Sequence, residues 1–323
     1  MIHMADARHK ISWQQKSETV SGGVAMRYTI NSGQLQVQID SHGGSLWSIK
    51  DMEGTEYLWQ GDPRYWKNRA PNLFPYIGRL TEGKYTLDGK EYRMDRHGFV
   101  RDNNLQLLEK GEDFVRLFMR DNSITFRQYP YRFIYEICYQ VEGNRLCVTC
   151  QVDNMDTRNM FFGMGGHPGF NVPIEQGLNF EDYALEFPQG EGMMRVVLSE
   201  DFFVTDEREI FLPDENGKLF LKHSLFDKDA IVLDKVPGVV VLSAVKGKKG
   251  LKVSSPQMRY LGLWHAPGTD APYVCIEPWT SLPSRDGVVE DLARQEDLVS
   301  LPPGERYINR WTIEVLEGEE CAR

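Results

Sequence analysis

Apolar and polar side chains alternate with a period of two along segment after segment of this chain. Leu35, Val37 and Ile39 alternate with Gln34, Gln36 and Gln38. The run Phe133, Ile134, Tyr135, Ile137, Tyr139 continues into Leu146, Val148, Cys150 and Val152 across the turn Glu142-Gly143-Asn144. Near the end, Trp311, Ile313 and Val315 alternate with Thr312 and Glu314. A period of two sends neighbouring side chains to opposite faces, so each run predicts a strand with one buried face. Asp88-Gly89 between Lys84–Leu87 and Lys90–Arg93 predicts a two-residue hairpin, because both turn residues must take positive φ. Gly238–Val245 is a further β-rich run, closed by the polar turn Lys246–Gly250. Helical periodicity is confined to Val288–Leu292 with Ala293 and Arg294, which predicts one short helix. With 29 glycines and 16 prolines supplying turns, the pattern predicts an all-β fold, one large antiparallel β-sandwich over residues 24–323. A concave sheet face in such a fold is where a small polar ligand would bind. The first 23 residues (among them His9, Lys10, Gln14, Gln15 and Lys16) read as a polar N-terminal extension without the apolar core of a signal peptide.

Composition narrows the function. A hydrophobic fraction of 41% with 26% charged residues is too apolar for a disordered chain. No stretch approaches the roughly 20 apolar residues of a membrane span. The formal net charge of −10 argues against nucleic acid or an anionic membrane as partner, since both call for a basic surface. The five cysteines are an odd number for a disulfide framework. Cys147-Val-Thr-Cys150 lies in an alternating run, whereas a redox pair of that spacing sits at a helix N-terminus. No second Cys or His pair stands near it to complete a zinc site. Reduced thiols in a cytoplasmic protein are the expectation.

Four segments depart from routine strand and turn. In Asn72–Leu80 an arginine, Arg79, follows an apolar run broken by Pro75 and Gly78; it is either positioned or simply exposed at a strand end. In Arg96–Asp102, His97 precedes Gly98, which lets a backbone or ligand come close; the histidine is either a structural hydrogen-bonder or a site residue. In Gly163–Phe170 four glycines and a proline surround His167, a segment that offers little to a core; its backbone is either shaped to present the imidazole or holds a structural histidine. In Tyr273–Trp279, Glu277 interrupts an apolar strand; it is either a carboxylate on the wet face of an edge strand or a buried one, which costs free energy unless it is paired or used. Trp279, two residues on, shares its side of the strand and is either a pocket wall or a core tryptophan. An Arg, two His and a Glu without metal-ligand spacing suit acid–base chemistry on a neutral, oxygen-rich small molecule. There is no nucleophile elbow, phosphate-cradling loop or dinucleotide fingerprint.

With Gly43–Leu46, Asp229–Leu233 and Cys275–Trp279 added, these segments resemble the aldose 1-epimerase (galactose mutarotase-like) family, in its bacterial aldose epimerase-like branch. The resemblance runs from about Tyr28 to Glu317. It implies a galactose mutarotase-like supersandwich and an isomerase that interconverts the anomers of a hexose with no metal or organic cofactor. It also implies roles: Glu277 as general base, His167 as general acid, His97 as second active-site histidine, and Arg79 as sugar-binding arginine. Asp229 would hold ring hydroxyls, with Asp227 and Asp234 close by in sequence, and Trp279 could stack on the sugar. The segment around His167 departs from the better-studied branch, which has an Asn before the histidine and a Thr-Tyr-Phe run after it; here stand Gly166 and Pro168-Gly169-Phe170. The expected partner is a monosaccharide, and the expected state a monomer or homodimer. A non-catalytic carbohydrate-binding protein or sensor, and a lyase or hydrolase acting on a longer glycan, are the alternatives from other classes. A sugar phosphate is the alternative substrate, because Arg79, Arg96 and Arg101 lie close in sequence, but a phosphate site needs basic groups that converge in space.

Overall fold

The computed structural model describes residues 25–188, 192–214 and 217–318. The expected 1–23 extension and Cys321 lie outside the described residues.

The alternating runs become the strands of two large antiparallel sheets. One has nine strands, in the order Lys218–Phe220, Tyr183–Glu186, Val239–Ala244, Lys249–Ser254, Arg306–Glu317, Arg145–Asn154, Phe133–Glu142, Phe114–Arg120 and Gln106–Lys110. The other has eight, in the order Val204–Ile210, Met194–Leu198, Ile231–Asp234, Tyr260–Trp264, Tyr273–Trp279, Gly165–Gly166 and Asn72–Leu73, with Gly169–Asn171 also paired to Tyr273–Trp279. A smaller sheet, Arg27–Asn31, Leu35–Asp40 and Leu46–Asp51, carries the first alternating run.

Period two explains the layering. Leu146, Val148, Ile313 and Val315 of the nine-stranded sheet share a core with Ile231, Leu233, Leu261, Leu263, Val274 and Ile276 of the eight-stranded one. The alternate residues of the eight-stranded sheet face away from that core. There Tyr273 and Cys275 pack with Trp59 and Ala271, and Tyr260 and Trp279 with Leu73, Ile77 and Val232. The sheet thus has a second face, on which Tyr273, Cys275, Glu277 and Trp279 stand in one row.

Asp88 and Gly89 both take positive φ, 53° and 73°, and join Lys84–Leu87 to Lys90–Arg93 as the Asp-Gly pair predicts. Cys147 and Cys150 lie in the strand Arg145–Asn154, three residues apart and so on opposite faces, which removes them as a redox pair. The expected helix at Val288–Leu292 does not form. Thr86 donates to the Glu290 carbonyl and Leu292 donates to the Thr86 carbonyl, so tertiary pairing takes the backbone groups a helix would need. The α-helix among the described residues is Ser123–Gln128, capped by Asn122. No helix there is long and apolar enough to cross a membrane.

Candidate active site

Glu277 comes from the middle of Tyr273–Trp279, opposite Gly262 on the neighbouring strand. Its row-mates are apolar or weakly polar, so the strand carries the carboxylate into a site where it is 2% exposed. Room beside it depends on Gly262, since a Cβ there would stand 2.7 Å from the Trp279 ring.

His167 is presented by the glycine segment as its composition predicts. Gly165 pairs with both Trp279 and Leu73, and Gly166 with Asn72. The His167 amide donates to the Pro71 carbonyl at 3.0 Å, and the next carbonyl, of Pro168, accepts from the Ile276 amide. The backbone is thereby clamped between the strands on either side. A Cβ on Gly165 would come within 2.5 Å of the Pro278 carbonyl, and one on Gly166 within 2.8 Å of the Trp311 ring. The result puts His167 Nε2 3.3 Å from Glu277 Oε2.

His97 arrives from the other side, its ring centre 5.5 Å from that of His167 and nearly perpendicular to it. Its backbone is left-handed, with φ 68°, and a reciprocal clasp fixes it. The His97 amide donates to the Gly78 carbonyl at 2.8 Å, and the Gly78 amide donates to His97 Nδ1 at 3.1 Å. An accepting Nδ1 leaves the proton of the neutral ring on Nε2. Gly98 is required beside it, because a Cβ there would meet the Phe74 carbonyl at 2.2 Å.

Asp229 also sits at positive φ, 69°. Its Oδ1 accepts from Trp264 Nε1 at 2.6 Å, and its charge acts on Glu277. The neighbouring aspartates are placed elsewhere: Asp234 is held by Arg259 at 2.6 and 2.8 Å, and Asp227 is exposed. Arg79 directly follows Gly78 of the clasp, and its guanidinium lies 5.2 Å from the centre of the Phe202 ring. Trp279 is on the Glu277 side of the strand but is 4% exposed, packed among Leu73, Ile77, Val196, Val204 and Tyr260.

Two aromatics escaped the sequence reading. Trp66 stacks on His167 with ring centres 4.8 Å apart, and Trp264 meets the same imidazole edge-on at 5.8 Å. The signal for Trp66 was an aromatic pair, Tyr65-Trp66, inside an otherwise polar loop. For Trp264 it was a place on the outer row of its strand, two residues beyond Gly262.

Electrostatics follow from burial. Desolvation, followed by the nearby Asp229 carboxylate, pushes the Glu277 carboxyl well above the usual carboxylate range. Desolvation, then the charge of Arg101, pulls His167 down to about 3. Desolvation, then His167 and the arginines Arg101, Arg96 and Arg79, pulls His97 well below its ordinary value. His167 Nδ1 and Glu277 Oε2 are buried without a hydrogen-bond partner, unusual in a folded interior and characteristic of a site built for something else to bind. His167, Cys275 and Glu277 also bring potential metal-ligand atoms within 4.8 Å of one another. Burial and the Glu277 charge push the Cys275 thiol well up, so a metal there would first have to displace a tightly held proton.

The family model for aldose 1-epimerase matches residues 26–313. Protein LacX (chromosomal) of Lactococcus lactis subsp. lactis is 35% identical over 271 residues, 80% of this chain and 88% of LacX. The structure of a galactose mutarotase related enzyme from Lactobacillus acidophilus superimposes with a TM-score of 0.86 at 30% identity, covering 91% of this chain and 98% of that one. A galactose mutarotase-like protein from Lactobacillus casei gives 0.85 at 26% identity, covering 90% and 100%. The chain belongs to the aldose 1-epimerase family.

Proposed function

We propose that this member of the aldose 1-epimerase family is a working isomerase that interconverts the α and β anomers of an aldose by opening and reclosing its ring. The observation that carries the reading is the buried pair His167 Nε2 and Glu277 Oε2, 3.3 Å apart, with His97 facing it. Anomer exchange needs one group to take the proton of the C1 hydroxyl while another gives a proton to the ring oxygen. The C1–O5 bond then breaks, the carbonyl forms at C1, and the C1–C2 bond rotates. Closure on the other face returns both protons. In this reading Glu277 is the base and His167 the acid.

Those roles require the pair to hold one proton. Burial favours its uncharged arrangement, protonated Glu277 beside neutral His167. The reactive arrangement, carboxylate beside imidazolium, differs only by passage of that proton between the two side chains. A bound sugar would stabilise it by donating hydroxyls to the Glu277 carboxylate. The raised affinity of Glu277 for a proton also makes it a stronger base once ionised. His97, with its Nε2–H available, would donate to a substrate oxygen, Arg79 would hold the sugar, and Asp229 would accept ring hydroxyls. Trp66 and Trp264 would wall the site, while Trp279 supports it from the apolar cluster.

Polarimetry on freshly dissolved α-anomers across a panel of aldoses tests the reading. Acceleration of at least one aldose is expected. Saturable binding in calorimetry with no acceleration of any would make the protein a sugar binder.

A further inference from the structure

Two glycines in the floor of the site make room for one indole ring. A Cβ on Gly165 would stand 2.9 Å from Trp279 Cδ1, and one on Gly262 would stand 2.7 Å from Cζ2 and 3.3 Å from Cε2. Gly165 pairs with Trp279 itself on one flank of the strand, and Gly262 pairs with Glu277 on the other. The ring therefore lies across its own strand, reaching from the level of Trp279 to the level of Glu277. Nε1 is bonded to both Cδ1 and Cε2, so the N–H edge runs between the two glycines, on the Glu277 side.

That N–H is buried, on a residue 4% exposed, and no hydrogen bond satisfies it. A buried donor left unmade costs free energy and calls for an explanation. Packing does not provide one. Leu73, Ile77, Val196, Val204 and Tyr260 surround the ring, and a phenylalanine suits such a cluster without leaving a donor unpaired. The neighbouring indole shows the alternative use, since Trp264 Nε1 donates to Asp229 Oδ1 at 2.6 Å. Burial and then Asp229 raise the Glu277 carboxyl, while Trp279, as a hydrogen-bond donor, and then the Arg96 charge oppose them.

We propose that Trp279 is a positioning residue, whose indole N–H closes onto the Glu277 carboxylate once the proton has passed to His167 and holds that base aligned for the C1 hydroxyl proton. The step moves one proton from the Glu277 carboxyl to the imidazole, and no other covalent bond forms or breaks. A carboxylate is a stronger acceptor than a carboxylic acid, so the bond strengthens as the reactive arrangement forms. An indole carries no charge, so it supports the ionised base without fixing it ionised at rest, as a lysine or arginine in its place would. The inference rests on the proposed epimerase reaction for the role of Glu277, but not for the donor–acceptor pair.

Replacing the Trp279 indole by its benzothiophene isostere, introduced as an unnatural amino acid, keeps the shape and removes the N–H. With anomer exchange followed by NMR, kcat should fall roughly ten- to hundredfold, the range for a hydrogen bond to a charged group, and KM should change little. Trp279→Phe should lose kcat to a similar extent, with a lower melting temperature from lost packing. An isostere with wild-type kcat would overturn the proposal, and so would a raised KM at unchanged kcat, which would assign the N–H to the sugar. The pair is also read without substrate. Of the chain's seven tryptophans, the indole resonance lost in Trp279→Phe should move downfield as pH is raised and Glu277 ionises, and should stay still in Glu277→Gln. Cys275 also lies against Glu277 and is present in both proteins, so its titration is subtracted by the comparison. A resonance that does not move, or moves alike in the two proteins, would overturn the proposal. If no aldose is accelerated, the epimerase reading fails, and this titration alone decides whether Trp279 and Glu277 form the pair.

Discussion

Gly166→Ala is the smallest change that should reach the His167–Glu277 pair without touching it. The added Cβ would lie 2.8 Å from Trp311 Cζ2 and 3.2 Å from Cη2. Ordinary contact begins near 3.4 Å, so 3.4 − 2.8 = 0.6 Å must be found. Trp311 cannot yield it. It is 3% exposed, and its strand is hydrogen-bonded on both sides, to Arg145–Asn154 and Lys249–Ser254. The shift therefore falls on Gly166 and on His167 next to it. Overpacking of this kind costs about 1–3 kcal/mol. Misplacing a catalytic group by 1 Å costs on the order of 10²-fold, so 0.6 Å should cost roughly tenfold in kcat. Urea denaturation reads the first figure and anomer-exchange NMR at saturating sugar the second. Adding Trp311→Phe removes the two ring atoms in the way, so the double variant should recover much of kcat while losing stability of its own. A Gly166→Ala protein with wild-type stability and kcat would refute the reasoning, as would a kcat loss that Trp311→Phe fails to relieve.

Other consequences follow from the same site. The pair should stay singly protonated from about 3, where His167 gains a second proton, up to the raised value at which Glu277 loses its own. The pH–kcat/KM profile should therefore be flat through 6.5, and an alkaline limb near that ordinary histidine value would contradict it. Glu277 binds its proton more tightly folded than unfolded, so the wild type loses stability as pH rises from about 4.5 through the raised folded value. Glu277→Gln, which cannot ionise, should melt higher than wild type at pH 8, with the advantage shrinking toward pH 4.5; a constant difference in calorimetric melts would count against this. Trp264→Phe removes the 2.6 Å bond to Asp229, a bond to a charged group worth about 1.5–3 kcal/mol. It should raise KM roughly tenfold with a smaller effect on kcat, and an unchanged KM would separate Asp229 from sugar binding.

How far the sequence reached depended on whether a signal was local. Alternation at Leu35–Asp40, Phe133–Asn154 and Arg306–Glu317 was read as strands, because a buried face imposes its period directly. The Asp88-Gly89 hairpin was legible for the same reason. Val288–Leu292 was misread, since its backbone partner, Thr86, lies some 200 residues away. The family resemblance named His97, His167, Glu277, Arg79 and Asp229, but the means by which the fold brings His97, His167 and Glu277 near one another is non-local. A glycine segment threads between two strands to deliver His167, and a clasp to Gly78 delivers His97. Trp66 on the His167 ring depends on a contact that no single stretch of chain encodes.

In the proposed reaction Glu277 and His167 exchange protons with a cyclic aldose. The most direct measurement is the rate of anomer equilibration for the best sugar of the panel, wild type against Glu277→Gln, at pH 7 and equal folded concentration. A wild-type acceleration is expected, which the Gln variant loses by roughly 10²- to 10⁴-fold, the usual contribution of a general base. Equal rates in the two proteins would contradict it.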